Sequence, residues 1–215
     1  VIAIPGILEA ENYDKGGAGL AFQDDDAANH GSVYRNDDVD ITEVDGGGYA
    51  IGWTSKGEWL EYTIDVAHTE TYELELRVAS GLEGSGFSLF IDGKAVTDKI
   101  EVPQGKDWET YQTITASTSE ISKGKHILKI LIEGSYVNID WIRFKSTTHT
   151  DVISITDDNI IPNGEYQLYD IAGRLLRRIE IIDGHIPSEI DGVSNKGVYL
   201  LKSEETAETY KVNAK

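Results

Sequence analysis

Strict two-residue alternation of apolar and polar side chains recurs along the first two thirds of this 215-residue chain, and it limits the folds available. Glu58–Val66, Thr71–Val78, Phe87–Asp92, Lys125–Ile132 and Val137–Phe144 all follow it. Period-2 patterning places one face of a strand in a core and the other in water. No comparable helical period runs through these segments. Asp92-Gly93 is a hairpin-turn dipeptide, and Lys123-Gly124 is a weaker turn signal. Strands at this spacing, separated by such turns, predict an antiparallel sandwich or barrel.

Three regions break the pattern. Asn12–Val33 is Gly-rich and acidic, and is expected to be a long ordered loop. Ser146–Thr150 is a polar break, giving a linker over 147–151 between a domain at 1–146 and a smaller one at 152–215. Beyond the linker, Tyr166–Asp170, Arg174–Ile179, Gly197–Lys202 and Tyr210–Asn213 predict short strands, with a turn at Ile171–Gly173. The whole chain is expected to be all-β.

Charge and composition narrow the function. Thirty-eight acidic residues against 19 basic leave a net charge of −19. That field repels nucleic-acid phosphates and anionic lipid, so neither is an expected partner, whereas neutral ligands and divalent cations suit it. No apolar run reaches the length of a membrane span. There is no cysteine and no methionine. The missing Met suggests a fragment of a longer, processed protein, so a missing signal segment is uninformative. Histidines 30, 68, 126, 149 and 185 lack metal-ligand spacing. Neither a nucleophile elbow nor a phosphate loop is present. No carboxylate pair stands out as a glycosidase pair, so catalysis is not expected.

Several stretches, in order, resemble family 6 carbohydrate-binding modules: Leu8-Glu-Ala-Glu-Asn-Tyr13, Tyr34-Arg-Asn-Asp-Asp-Val-Asp-Ile41, Gly47-Gly-Tyr-Ala-Ile-Gly-Trp-Thr-Ser-Lys-Gly-Glu-Trp-Leu-Glu-Tyr62, Pro103-Gln-Gly-Lys-Asp-Trp-Glu-Thr-Tyr111 and Asn138-Ile-Asp-Trp-Ile-Arg-Phe144. The resemblance covers about residues 4–145 and implies a jelly-roll β-sandwich with a structural calcium ion and no catalysis. It also implies a secreted or cell-surface protein that holds a covalently attached glycoside hydrolase on a polysaccharide of the xylan or β-glucan type.

The same resemblance implies the site residues. Glu9, Glu11 and Asp140 would ligate Ca2+, with a backbone carbonyl from Arg35 or Tyr49, Arg35 being preferred. Oxygen donors suit this hard cation, and two glutamates two apart on a strand would share a face. Trp53 and Trp108 would flank a sugar ring, and Asn138 would hydrogen-bond its hydroxyls. Asn138 and Asp140 would share a face by period 2. Tyr34 and Asp24 are expected to border the same cleft. Trp59 and Trp141, in alternating strands, are expected in the core. The competing reading is a structural or adhesion spacer, in which Trp53 and Trp108 are both buried. Residues 152–215 resemble the small Ig-like secretion-sorting domains of Bacteroidetes-type bacteria, through Tyr166-Gln-Leu-Tyr-Asp-Ile-Ala-Gly-Arg174, Gly197-Val-Tyr-Leu-Leu-Lys202 and Tyr210-Lys-Val212. There the basic set Arg174, Arg177 and Arg178 is either a partner surface or a solvated strand face.

Overall fold

A computed structural model describes residues 1–134, 136–147, 152–154, 161–182, 184, 197–204 and 209–214. The chain divides into two compact units, Val1–Thr147 and Thr148–Lys215. Residues 148–151 of the expected linker, with His149 and also His185, lie outside the described residues.

The first unit contains strands β1 (Ile2–Ile4), β2 (Gly6–Glu9), β3 (Phe22–Gln23), β4 (Ile41–Glu43), β5 (Tyr49–Ile51), β6 (Trp59–Val66) and β7 (Tyr72–Ala79). It continues with β8 (Gly86–Ile91), β9 (Lys94–Ala95), β10 (Ile100–Glu101), β11 (Gln112–Ser117), β12 (Gly124–Gly134) and β13 (Asn138–Ser146). They form two sheets. One has seven strands along β1-β6-β12-β8-β10, with β3 on β6 and β9 on β8. The other has six along β11-β7-β13-β5-β4, with β2 on β13. This is a jelly-roll β-sandwich.

The inner faces supply one core. Leu60, Tyr62, Ile64 and Val66 of β6 and Leu128, Ile130 and Ile132 of β12 are buried in it, together with Leu74, Leu76 and Val78 of β7 and Ile139, Ile142 and Phe144 of β13. Each such side chain contributes about 1.5–3 kcal/mol on leaving water. Asp92 and Gly93 both have positive φ, 49° and 80°, as the tight turn between β8 and β9 demands.

The expected core positions of Trp59 and Trp141 are corrected. Both are half-buried on outward sheet faces. Inward positions in β6 begin at Leu60, one residue out of phase with the tryptophan. A cation covers each indole instead: Lys129 Nζ stands 4.0 Å above Trp59, and the Arg143 guanidinium 5.3 Å above Trp141. In β13 a bulge between Ile139 and Trp141 shifts the alternation by one residue.

The Asn12–Val33 region is not one continuous loop. It opens in the 3-10 turn Ala10–Asn12 and is interrupted by β3. In the second unit the described residues form one five-stranded sheet, ordered β14 (Val152–Ser154), β18 (Thr209–Ala214), β17 (Gly197–Ser203), β15 (Gly164–Asp170), β16 (Leu175–Ile181). Its own core includes Tyr166, Leu168, Ile181, Leu201 and Tyr210. At the turn of Ile171–Gly173, Asp170 Oδ1 accepts from the backbone N–H groups of Ala172 and Arg174. Arg174 pairs with Asp170 at 3.0 Å and Arg178 with Glu204 at 3.1 Å.

Candidate functional site

A cleft of about 500 Å³ opens at one end of the sandwich, lined by Thr42, Glu43, Asp45, Trp53, Trp108, Glu109, Tyr111, Tyr136 and Asn138. Three of its aromatic rings are open to water: Trp53 is 49% exposed, Trp108 42% and Tyr136 47%. Large aromatics left this open at a concave site are available to a ligand with an apolar face.

Each wall is braced by the backbone beneath it. Trp53 follows β5 with φ 47°, and Tyr136 precedes β13 with φ 64°. Left-handed backbone at two non-glycine residues is costly and is held only where surroundings impose it. Here Thr54 imposes it. Its carbonyl accepts from Tyr136 N–H at 2.7 Å. Its buried hydroxyl donates to the Val137 carbonyl and accepts from the Val137 N–H, both at 2.9 Å. The turn after Trp53 is closed by Glu58, whose Oε2 accepts from Ser55 N–H at 2.8 Å and whose Oε1 accepts from Asp25 N–H at 3.1 Å. Burial and the nearby Asp24 carboxylate push the Glu58 carboxyl up to about 7.

Trp108 rides on the loop between β10 and β11. Asp107 Oδ1 folds the loop by accepting from Glu109 and Thr110 N–H, at 3.0 and 2.6 Å. Asn138, buried, donates from Nδ2 to the Trp108 carbonyl at 2.9 Å. The same side chain also reaches the Tyr111 hydroxyl. Gly81 lies against the indole: a Cβ there would come within 2.9 Å of Trp108 Cη2 and Cζ3. Gly52 similarly leaves room for Asn138, since a Cβ would stand 3.0 Å from its Oδ1. Burial pushes the Tyr111 hydroxyl up to about 12.

The structure therefore brings Trp53, Trp108 and Asn138 to one cleft. Tyr34 and Asp24, expected at its border, do not line it. Tyr34 packs against Tyr49 with centroids 4.6 Å apart and ring planes tilted by 37°, and its hydroxyl donates to Asn12 Oδ1 at 2.6 Å. Asp24 accepts from the Asp26 N–H and is pushed up to about 6 by burial, with Asp40 and Asp26 adding to the rise. Sequence reasoning missed Tyr136, although it precedes a strand at a turn, as Trp108 does. The lining acids, Glu43 at the end of β4, Asp45 in the turn after it and Glu109 in the β10–β11 loop, carry no local signal.

The carboxylates expected to hold calcium lie at another place in the fold. β2 pairs antiparallel with β13, opposing Glu9 to Trp141, so the first carboxylates lie beside the strand of Asp140. Glu11 does not sit on a strand, contrary to expectation; it is in the 3-10 turn after β2, which ends the strand alternation. Glu11 is 6% exposed, and its buried Oε2 has no hydrogen-bond partner. Burial, then the charges of Glu9 and Asp140, raise its carboxyl to about 7. Asp140 is raised by burial and held back by its ion pair with Arg77. The Arg35 carbonyl accepts from Asn29 Nδ2 at 3.1 Å, and its guanidinium lies 3.6 Å above the Tyr13 ring. Among the described residues no three Asp, Glu, His or Cys side chains form a ready-made metal cage. A buried, unpartnered carboxylate oxygen beside two further carboxylates is nonetheless the donor chemistry a divalent cation requires.

A jelly-roll sandwich with open aromatics around an end cleft defines a class, the carbohydrate-binding modules. Residues 9–146 match the family described as Carbohydrate binding module (family 6), and the chain belongs to that family. Its members bind oligo- and polysaccharides and are not catalytic. A solved structure of the C-terminal module of the marine laminarinase LamC from Zobellia galactanivorans is 25% identical, with a TM-score of 0.53, covering 65% of this chain and 98% of that one. The module CsCBM6-3 from Clostridium stercorarium, solved with cellobiose, has the same fold at 23% identity and a TM-score of 0.52, covering 68% of this chain and 97% of that one. Beta-agarase AgaA of Microbulbifer thermotolerans is 31% identical over 103 residues, which is 45% of this chain and 24% of that protein. The match thus spans about a quarter of that relative's length. No helix among the described residues is long and apolar enough to cross a membrane.

Proposed function

We propose that the first unit holds an algal or plant polysaccharide, of β-linked type, between Trp53 and Trp108, with Asn138 bonding its hydroxyls. The observation that carries this is the exposure of both indoles in one cleft, 49% and 42%. A spacer has no reason to leave them open, and the competing reading required both to be buried. The relatives named for a laminarinase and an agarase favour an algal chain over xylan. By the same reading the chain is part of a secreted or cell-surface protein and tethers a covalently linked glycoside hydrolase to its substrate.

Two further parts belong to this proposal. Glu9, Glu11 and Asp140, with the Arg35 carbonyl, bind a structural Ca2+; the orphaned Glu11 Oε2 supports it. Such an ion stabilises folding by binding the native state alone. The second unit, with its Gly197–Ser203 strand and Asp170–Arg174 turn, serves as a secretion-sorting domain.

Affinity electrophoresis and calorimetry on laminarin, agarose and xylan test the main reading. Retention by at least one chain is expected, and Trp108→Ala abolishes it without changing the unfolding midpoint. Failure to bind any of them refutes it.

A further inference from the structure

Resting on the glycan-binding reading of the same cleft, we propose that its rim is a charge filter. Glu43, Asp45 and Glu109 admit uncharged polysaccharides and reject chains bearing sulfate or carboxylate groups.

Of the nine lining residues, these three carry carboxylates, and no lysine or arginine is among them. None of the three is in an ion pair among the described residues. The other lining side chains are neutral: three open aromatics supply apolar faces, and Thr42, Tyr111 and Asn138 supply neutral polar groups. Two basic side chains stand near but outside the lining: Lys106, 4.0 Å from Asp107, and Arg77, whose guanidinium lies 4.8 Å over the Tyr111 ring and is neutralised by its ion pair with Asp140. The chain's net charge of −19 adds a background field of the same sign.

The consequence for a ligand is asymmetric. A neutral sugar loses nothing to the rim, because carboxylates accept hydrogen bonds from hydroxyls. A sulfated sugar brings a fixed negative charge within the cleft. Three repulsions, each acting over roughly 7 Å through water, multiply to about a 20-fold penalty at low ionic strength. Screening removes most of it in high salt, since the Debye length falls from about 30 Å at 0.01 M to about 3 Å at 1 M. Stacking on Trp53 and Trp108 has no such dependence, so salt separates the two contributions.

The test uses the full chain with laminarin, agarose and xylan, and a lightly sulfated preparation of each. Affinity electrophoresis is run at about 0.01 M and about 1 M salt. The quantity read is the ratio of neutral to sulfated affinity for one backbone. A ratio near 20 is expected at low salt, collapsing toward unity at high salt. The E43Q/D45N/E109Q variant, checked for native circular dichroism, is expected to show a low-salt ratio near unity. A ratio near unity in the unmodified protein overturns the filter. So does a ratio that persists in the variant, because sulfate is then excluded by shape. Retention of sulfated chains alone also overturns it. If no chain of either kind is retained, the glycan-binding reading itself fails and the filter falls with it.

Discussion

Replacing Gly81 by alanine adds one methyl group to the wall behind Trp108 and leaves every hydrogen-bonding group in place. The backbone accepts it, because Gly81 is not among the residues with positive φ. The indole does not: the new Cβ would meet Cη2 and Cζ3 at 2.9 Å and Cε3 at 3.0 Å. Carbon contacts are comfortable at about 3.5–4.0 Å, so the ring must shift by about 0.6–1 Å toward the cleft. A displacement of that size forfeits a quarter to a half of each van der Waals contact it disturbs. An indole face covering about 60 Å² of sugar is worth about 1.5 kcal/mol. Loss of a quarter to a half of it weakens binding about 2- to 4-fold. Stability moves little, since alanine restricts the unfolded chain and offsets the local crowding. Calorimetry on the retained polysaccharide, alongside urea unfolding, measures both quantities. Wild-type affinity in Gly81→Ala refutes the claim that the indole's position sets affinity. A fall in affinity that merely follows unfolding refutes it equally.

Three other outcomes follow from the geometry. Calcium at about 100 times its Kd raises unfolding free energy by about 2.7 kcal/mol, chelation reverses this, and Glu11→Gln no longer responds; identical melts with and without calcium exclude the metal site. Thr54→Val leaves the Val137 N–H without its acceptor and costs about 1–3 kcal/mol in urea unfolding, while a loss below a few tenths shows that the Trp53–Tyr136 brace is dispensable. Asp92, hydrogen-bonded at 2.7 Å, raises His126 above its ordinary value and is itself lowered, so the pair's stabilisation is complete in mildly acidic solution below about pH 6.5, is lost as pH rises through the raised His126 value, and is lost again in strong acid as Asp92 protonates. Because Asp92 is more than half exposed, the difference between wild type and His126→Gln is at most about 1 kcal/mol, largest at mildly acidic pH and gone in alkali; a gap that widens from there toward alkali contradicts the assignment.

The strands were legible because period 2 is a local property. Lys125–Ile132 and Thr71–Val78 fell within β12 and one residue from β7, and Asp92-Gly93 named its own turn. Phase was harder to read. In β6 the tryptophan at the strand's start drew attention to the wrong face, because an indole is apolar but is also well covered by a lysine stem. In β13 one bulged residue moved every later side chain to the opposite phase, and no residue type marks the bulge. Of the cleft, the motifs carried Trp53, Trp108 and Asn138; Tyr136 and the three acids were not read.

The chain's own order of residues determined that it is all-β, that one large sandwich precedes a smaller β unit, and that two tryptophans stand at loop edges. Tertiary structure alone decided which loops meet. Thr42, Glu43 and Asp45 reach the same cleft as Glu109 and Tyr136 because the sandwich folds segments far apart in sequence onto one end. A pattern repeating every two residues reports which way a side chain points relative to its neighbours; it carries no information about what stands opposite once the sheets close.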